Sequence, residues 1–151
     1  MTDNSRLRCR ALDDKVMSAK EAAAFITAGS NVGMSGFTGA GYPKAVPAAL
    51  VDRMTEAKLR GERFAVSVWT GASTAPELDG ALAEVEGVDL RMPYQSDPVS
   101  RAKINAGLMD YMDIHLSHVA QMVWEGFFGH MDVAVIEVAG ITEDRRLSAR
   151  R

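Results

Sequence analysis

The sequence has a single cysteine, Cys9, among its 151 residues. One thiol can form neither an internal disulfide bond nor a cysteine-rich zinc site, so a disulfide-stapled domain and a cysteine-based zinc module are both excluded. Scarcity of cysteine is typical of a reducing compartment, and we therefore expect a cytoplasmic protein.

Long hydrophobic runs and an excess of positive charge are also missing. No stretch approaches the roughly 18 apolar residues that cross a bilayer, so we expect no membrane-spanning segment. The chain has 17 Lys and Arg against 20 Asp and Glu, a formal net charge of −3. Without a basic field that attracts phosphate backbones, binding to nucleic acid is disfavoured.

The N-terminus also lacks the apolar core of a secretory signal. Arg6, Arg8 and Arg10 are followed by no hydrophobic segment of the required length. We therefore interpret residues 1–15 as a solvated leader that precedes the folded domain.

What the chain does have is 47% hydrophobic and 25% charged residues, a balance typical of one compact domain. Helical and strand periodicities alternate along it. Ser18 and Glu21 form a capping-box pattern at the first helix. The predicted helices cover residues 18–28, 43–61, 75–86, 97–107 and 119–128, and the predicted strands cover residues 31–37, 64–70, 88–94, 114–116 and 132–138.

This alternation predicts an α/β fold with an open, mainly parallel sheet and flanking helices. The apolar strand 132–138 is expected to be buried on both faces. A polar, basic tail over residues 143–151 then stands where another crossover would begin. The sheet is therefore expected to be incomplete.

Ligands of such sheets bind beyond the carboxyl ends of the strands. The first loop there contains Gly36, Gly39 and Gly41 before a helix, so its backbone N–H groups could approach a carboxylate, a thioester oxygen or a phosphate. The alternative is a tight turn without a ligand. The spacing fits neither the dinucleotide fingerprint nor the P-loop.

Other candidates stay open on sequence alone. Ser73 could bind substrate or cap a helix, and the GxSxG motif of serine hydrolases is absent there. Glu137, near the end of an apolar strand, could be a base, a nucleophile or a structural carboxylate. His115 and His118 lack the spacing of a known zinc motif, so we predict no metal site.

Four segments, in this order, resemble the N-terminal domain of the acetyl-CoA hydrolase/acetate CoA-transferase family, and most closely its succinyl-CoA:acetate CoA-transferase members. They are SGFTGAGYPK at residues 35–44, TGAST at 70–74, INAG at 104–107 and AGITED at 139–144. The resemblance covers residues 16–144, nearly the whole chain.

The resemblance implies a two-domain enzyme of the CoA-transferase (NagB/RpiA-like) fold that moves coenzyme A between acyl groups. A glutamate carboxylate would form an acyl-glutamyl anhydride and then a glutamyl-CoA thioester. In the family, that glutamate and the loop that grips coenzyme A belong to the second domain, which this sequence does not contain. Glu137 matches a first-domain position, so the resemblance implies no catalytic residue in this chain.

By position, the resemblance also implies residues that line the carboxylate side of the substrate cavity, with acetyl-CoA or succinyl-CoA as the substrate and no metal. Ser96 lies in a loop whose sequence differs from the one that is usual in the family. The predicted substrate-binding residues are Gly36, Phe37, Thr38, Gly39, Ala40, Gly41, Ser73 and Ser96.

The chain departs from the family at Arg145, so residues 145–151 are interpreted as a divergent tail of a truncated or frameshifted gene. We expect the N-terminal part of a CoA-transferase or acyl-CoA hydrolase that is catalytically silent alone. The second hypothesis is a non-catalytic assembly module that pairs with a separately encoded second half. A stand-alone hydrolase that uses Glu137 is the third. An incomplete sheet would also favour self-association into a homo-oligomer.

Overall fold

The computed structural model describes residues 6–148, which form a five-stranded parallel sheet flanked by helices. The strand order is β4-β3-β2-β1-β5, and every neighbouring pair is parallel. The predicted α/β class with a mainly parallel sheet is therefore confirmed. The strands are β1 (Asn31–Met34), β2 (Val66–Trp69), β3 (Val88–Met92), β4 (Asp110–Tyr111) and β5 (Val133–Val135).

The helices that follow β1 lie in the crossovers between these strands, as parallel pairing requires. A 3₁₀ helix at Arg10–Lys15 precedes them, and a π-helical turn at Pro76–Gly80 leads into α3. The α-helices are α1 (Ala19–Ala24), α2 (Ala45–Leu59), α3 (Ala81–Glu84), α4 (Pro98–Asn105) and α5 (Leu116–Trp124).

Local sequence explains where several helices begin. At α1 the Ser18 hydroxyl accepts from the Glu21 N–H, while the Glu21 carboxylate accepts from the Ser18 N–H, which confirms the capping box. At α4 the Asp97 carboxylate accepts from the Ser100 N–H at 2.9 Å, and Pro98 occupies the first turn.

The core lies on one side of the sheet. Side chains alternate along a strand, so Val66 and Val68 face one side of β2 while Trp69 faces the other. The first side packs against α2 and α3, where Leu50, Met54 and Leu82 are almost fully buried. This side is a continuous apolar layer, to which α2 contributes Leu50, Met54 and Ala57, spaced three or four residues apart.

Two strand predictions are wrong. Residues 114–116 form no strand, because the fourth strand is the short β4, which pairs with Leu90 and Arg91, and α5 already begins at Leu116. The last strand, β5, is not buried on both faces. It pairs only with β1, at the edge of the sheet, and its three residues are half-buried or exposed.

Both ends of the described chain meet at a small hairpin, which was not predicted. Strands β6 (Gly140–Ile141) and β7 (Leu147–Ser148) pair antiparallel. The Arg8 N–H donates to the Ile141 carbonyl at 2.9 Å, and Cys9 is buried. Within residues 6–148, no helix combines the length and apolar character needed to cross a membrane.

Candidate functional site

The glycine-rich loop after β1 forms a tight turn. The Phe37 and Ala40 backbones exchange two hydrogen bonds of 3.0 Å, and both central residues have positive φ, 44° at Thr38 and 85° at Gly39. Positive φ at both positions is the signature of a type I′ turn, which favours glycine at the second position. The turn projects from the carboxyl end of the sheet.

This turn is joined to the loop after β2 by backbone contacts. The Thr38 N–H donates to the Ser73 carbonyl at 2.8 Å, and the Gly71 N–H donates to the Gly36 carbonyl at 3.2 Å. A Cβ atom on Gly36 would lie 2.7 Å from the Tyr42 Cβ, and one on Gly71 would lie 2.7 Å from the Gly36 oxygen. These two glycines therefore allow close packing of the loops.

Ser73 connects a third loop, the one after β3. Its hydroxyl accepts from the Ser96 N–H at 2.6 Å and from the Ser96 hydroxyl at 2.9 Å. Ser73 is 8% exposed, whereas Thr38 and Ser96 are exposed. The structure thus brings Thr38, Ser73 and Ser96 together, from three loops, at one edge of the sheet.

Several donors in this cluster have no protein acceptor. Among the described residues, the backbone N–H groups of Gly39 and Gly41 and the Ser73 hydroxyl hydrogen make no hydrogen bond. The Phe37 and Ala40 N–H groups close the turn, and the Thr38 N–H donates to the Ser73 carbonyl. N–H and O–H donors that have no protein acceptor can bind an anionic oxygen.

A second group of side chains lies at the C-terminal end of the glycine-rich loop. Tyr42 is buried and its hydroxyl donates to the Glu77 carboxylate. This hydrogen bond lowers the pKa of Glu77 and raises the pKa of Tyr42, because it stabilises the ionised carboxylate and the neutral phenol together.

Lys44 and Glu137 pair beside that tyrosine. The Lys44 Nζ atom lies 2.8 Å from the Glu137 Oε2 atom, 3.0 Å from the Tyr42 carbonyl oxygen and 4.1 Å from the centre of the Tyr42 ring. The Ser35 hydroxyl donates to the Gly41 carbonyl at 2.6 Å and accepts from the Glu137 N–H at 2.9 Å. These bonds fix the loop after β1 to the chain that follows β5.

A buried ion pair holds the loop after β2 in place. The Arg91 Nε atom lies 3.0 Å from the Asp79 Oδ1 atom, with side-chain exposures of 2% and 1%. Arg91 also donates to the Thr70 hydroxyl and the Ala72 carbonyl, while the Asp79 carboxylate accepts from the Thr74 N–H and hydroxyl. Together they clamp both ends of the segment that carries Ser73.

Our sequence reasoning included Lys44 in the glycine-rich loop segment but did not identify Glu77, Asp79 or Arg91 as parts of this region. Arg91 gave a usable signal, because an arginine inside an otherwise apolar strand needs a buried partner. The partner itself could not be predicted, since Asp79 reaches it only through tertiary packing.

The two histidines considered in the sequence lie next to each other at the start of α5. His115 precedes α5 with its ring 5.3 Å from that of His118, and its Nδ1 atom bonds the Ser117 hydroxyl at 2.8 Å. Residues 6–148 contain no group of three or more His, Cys, Asp or Glu side chains placed to hold a metal ion.

Comparison with known proteins gives concordant matches. The family described as "Acetyl-CoA hydrolase/transferase N-terminal domain" matches residues 3–149. The chain is 44% identical over 131 residues to the propanoyl-CoA:succinate CoA transferase of Escherichia coli K12, covering 87% of this chain and 27% of that protein. It is 36% identical over 151 residues to the acetyl-CoA hydrolase of Yarrowia lipolytica, covering 94% of this chain and 29% of that protein.

A solved structure agrees with these matches. RipA from Yersinia pestis superposes with a TM-score of 0.57 at 26% identity, over 77% of this chain and 28% of that chain. The chain therefore spans between a quarter and a third of the length of these relatives.

Proposed function

The chain belongs to the acetyl-CoA hydrolase/transferase family through its N-terminal domain, and on that premise we propose that it forms the carboxylate-binding wall of an acyl-CoA-transferring site. The proposed ligands are small carboxylates such as acetate and succinate, together with the acyl group of their coenzyme A thioesters. We assign residues 16–144 to this domain, with 1–15 as a leader and 145–151 as a tail; parts of both segments pack on the domain, because Arg8 bonds to Ile141 and β7 pairs with β6.

The observation that carries the proposal is the meeting of three loops at Ser73. Its carbonyl accepts from Thr38, its hydroxyl accepts twice from Ser96, and the hydroxyl hydrogen is left without a protein acceptor. A carboxylate oxygen is a strong acceptor for such a hydroxyl and for the N–H groups of Gly39 and Gly41. The remaining proposed contacts, Gly36, Phe37 and Ala40, shape this turn.

The chemistry we propose for the assembled site is nucleophilic acyl exchange. A glutamate carboxylate supplied outside this chain attacks the thioester carbonyl, and the C–S bond breaks to give an acyl-glutamyl anhydride and the coenzyme A thiolate. The thiolate then attacks the glutamyl carbonyl, which forms glutamyl-CoA and releases the first carboxylate. A second carboxylate reverses these steps and leaves as the new thioester.

Within this scheme the present chain positions the carboxylates and supplies no nucleophile. The Glu137 carboxylate pairs with the Lys44 ammonium, and the Glu137 backbone N–H donates to the Ser35 hydroxyl. A positioned ion pair is the contact expected of a carboxylate that fixes loops. A hydrolase that uses Glu137 predicts instead that Glu137→Gln abolishes any activity found.

The second candidate function is a non-catalytic assembly module, and one feature favours it. Helix α5 has no buried residue, and its Trp124 is 89% exposed. An apolar surface of this kind marks an interaction site.

Binding of succinate to the purified chain, followed by NMR chemical shifts, tests the proposal directly. We expect weak saturable binding, at least about tenfold weaker in Ser73→Ala because a charge-assisted hydrogen bond is lost. Ser30→Ala is the matched control. Ser30 is buried to a similar extent, but it precedes β1 and so lies at the amino ends of the strands, away from the loops of the site. We also expect no turnover of acetyl-CoA with succinate by the chain alone.

Two results contradict the proposal. One is that Ser73→Ala and Ser30→Ala weaken succinate binding equally, which would show that succinate does not bind at the Ser73 cluster. The other is turnover by the isolated chain at a rate typical of enzymes, on the order of 10 per second.

A further inference from the structure

The turn in the glycine-rich loop fixes the direction of the Gly41 N–H, which has no acceptor among the described residues. The carbonyl of the same peptide unit belongs to Ala40, and it accepts from the Phe37 N–H at 3.0 Å. In a trans peptide the carbonyl and the N–H point in opposite directions, and this peptide is trans. The Gly41 N–H therefore points away from the interior of the turn, where a ligand oxygen could reach it.

The next peptide unit, between Gly41 and Tyr42, is held by its neighbours. The Gly41 carbonyl accepts from the Ser35 hydroxyl at 2.6 Å, and the Tyr42 carbonyl accepts from the Lys44 ammonium at 3.0 Å. Tyr42 is 7% exposed, and a Cβ atom on Gly36 would lie 2.7 Å from its Cβ, so Tyr42 packs directly against the start of the loop. A displacement of Tyr42 would therefore also move the adjoining Gly41 backbone.

The Tyr42 hydroxyl joins this loop to the one after β2. It donates to the Glu77 carboxylate, and Glu77 lies in the π-helical turn that leads into α3. The same turn carries Asp79, whose carboxylate accepts from the Thr74 N–H and hydroxyl. One short turn thus holds the glycine-rich loop through Glu77 and the residue next to Ser73 through Asp79.

We propose that Tyr42 and Glu77 are positioning residues of the carboxylate site. The Glu77 carboxylate holds the Tyr42 hydroxyl, and this hydrogen bond aligns the Gly41 N–H with the Ser73 hydroxyl so that both donate to one bound carboxylate. The inference rests on the proposed function and adds two residues that act without touching the ligand. Donors that are already held in place bind more tightly, because less conformational entropy is lost on binding.

The charges around this hydrogen bond keep both of its partners in the required state. The Tyr42 hydroxyl, and more weakly the Lys44 ammonium, lower the pKa of Glu77, so its carboxylate stays ionised in mild acid. The hydrogen bond to Glu77, followed by burial and the charges of Glu77 and Glu137, raises the pKa of Tyr42. At neutral pH the phenol is therefore a donor and the carboxylate an acceptor.

Succinate binding to the full chain, measured by NMR, tests the inference. Tyr42→Phe keeps the ring and removes the hydroxyl, whereas Glu77→Gln removes the charged acceptor. We expect each to raise the dissociation constant about fivefold and the double variant to raise it no further, because both remove the same hydrogen bond. Glu62→Gln is the matched control, since Glu62 is also an exposed carboxylate in a hydrogen bond, but it pairs with Arg60 and precedes β2.

A second measurement needs no ligand and separates positioning from a general loss of stability. Solvent exchange of the Thr38 and Ala40 amides, followed by NMR, reports on the hydrogen bonds that hold the turn. We expect Tyr42→Phe to speed the exchange of these two amides and to leave the Ser67 amide unchanged, because Ser67 bonds to the Ser30 carbonyl within the sheet. Faster exchange of all three amides would show general destabilisation and overturn the positioning role.

The binding data can also overturn the inference. Effects of Tyr42→Phe and Glu77→Gln that multiply in the double variant would show that the two side chains act independently. Equal weakening by Glu62→Gln would show that the loss of any carboxylate suffices. Succinate binding that depends on Ser73 but not on Tyr42 or Glu77 contradicts this inference alone. If the unsubstituted chain binds no succinate, the proposed function is contradicted, and amide exchange still decides whether Tyr42 positions the turn.

Discussion

At the scale of single residues, the Asp79–Arg91 pair joins the fold to the candidate site. Both charges are withdrawn from water, and their remaining hydrogen bonds go to Thr70, Ala72, Thr74 and the Met92 carbonyl. The pair therefore holds the segment that carries Ser73 by bonds to its two ends. Removing one partner leaves a buried charge without compensation.

We predict that Arg91→Met lowers the free energy of unfolding by about 3–5 kcal/mol. Urea denaturation followed by circular dichroism measures this loss. Arg60→Met is the control, because the Arg60–Glu62 pair is exposed and its removal should leave the urea midpoint unchanged. Equal midpoints for the two variants would show that the buried pair contributes nothing to stability.

Single residues also show how far the site could be predicted. The loops that carry Thr38, Ser73 and Ser96 were expected near one another because parallel strands end at the same edge of the sheet, and the family resemblance implied these three residues within them. Their hydrogen bonds to each other, and the contact of Tyr42 with Glu77, join residues 23 to 35 positions apart. Such pairings depend on loop conformations that no local pattern encodes.

At the scale of elements, prediction succeeded where a local signal marked the boundary. The capping box at Ser18 and the Asp97-Pro98 pair located α1 and α4 within a few residues. It failed at β4, whose two residues, Asp110 and Tyr111, have no apolar alternation and become a strand only by pairing with β3. The apolar run after it, 114–116, leads into α5 instead.

The cap of α4 provides a prediction at this scale. Asp97 is 8% exposed and accepts the Ser100 N–H, so Asp97→Ala should cost about 1–2 kcal/mol of stability. Asp97→Asn retains an acceptor oxygen and should recover most of that loss. Thermal unfolding of the three proteins measures the difference. If the alanine and asparagine variants unfold alike, the side-chain oxygen is not what stabilises the start of α4.

At the scale of the whole molecule, the uneven cover of the sheet follows from features that the sequence already contained. The apolar run around Val133–Val135 and the uncharged α5 both require cover, and the described residues after Glu143 form β7, which pairs with β6 rather than with β5. What could not be predicted is that α5 stands away from the sheet and leaves a cavity, because that distance depends on side chains from several elements.

Solubility as a function of pH tests this picture of the molecule. The formal net charge of −3 and an isoelectric point near 5.6 mean that repulsion between chains vanishes in mild acid. There the exposed apolar surface of α5 with Trp124 and Phe127, which we call the open face, should drive polydisperse, reversible association. Trp124→Glu and Leu59→Glu each change the net charge from −3 to −4, so they raise general repulsion equally. We predict that only Trp124→Glu suppresses light scattering when the two variants are compared at equal distance from their isoelectric points. Equal suppression by both would mean that charge alone governs association, and the open face would then have no part in it.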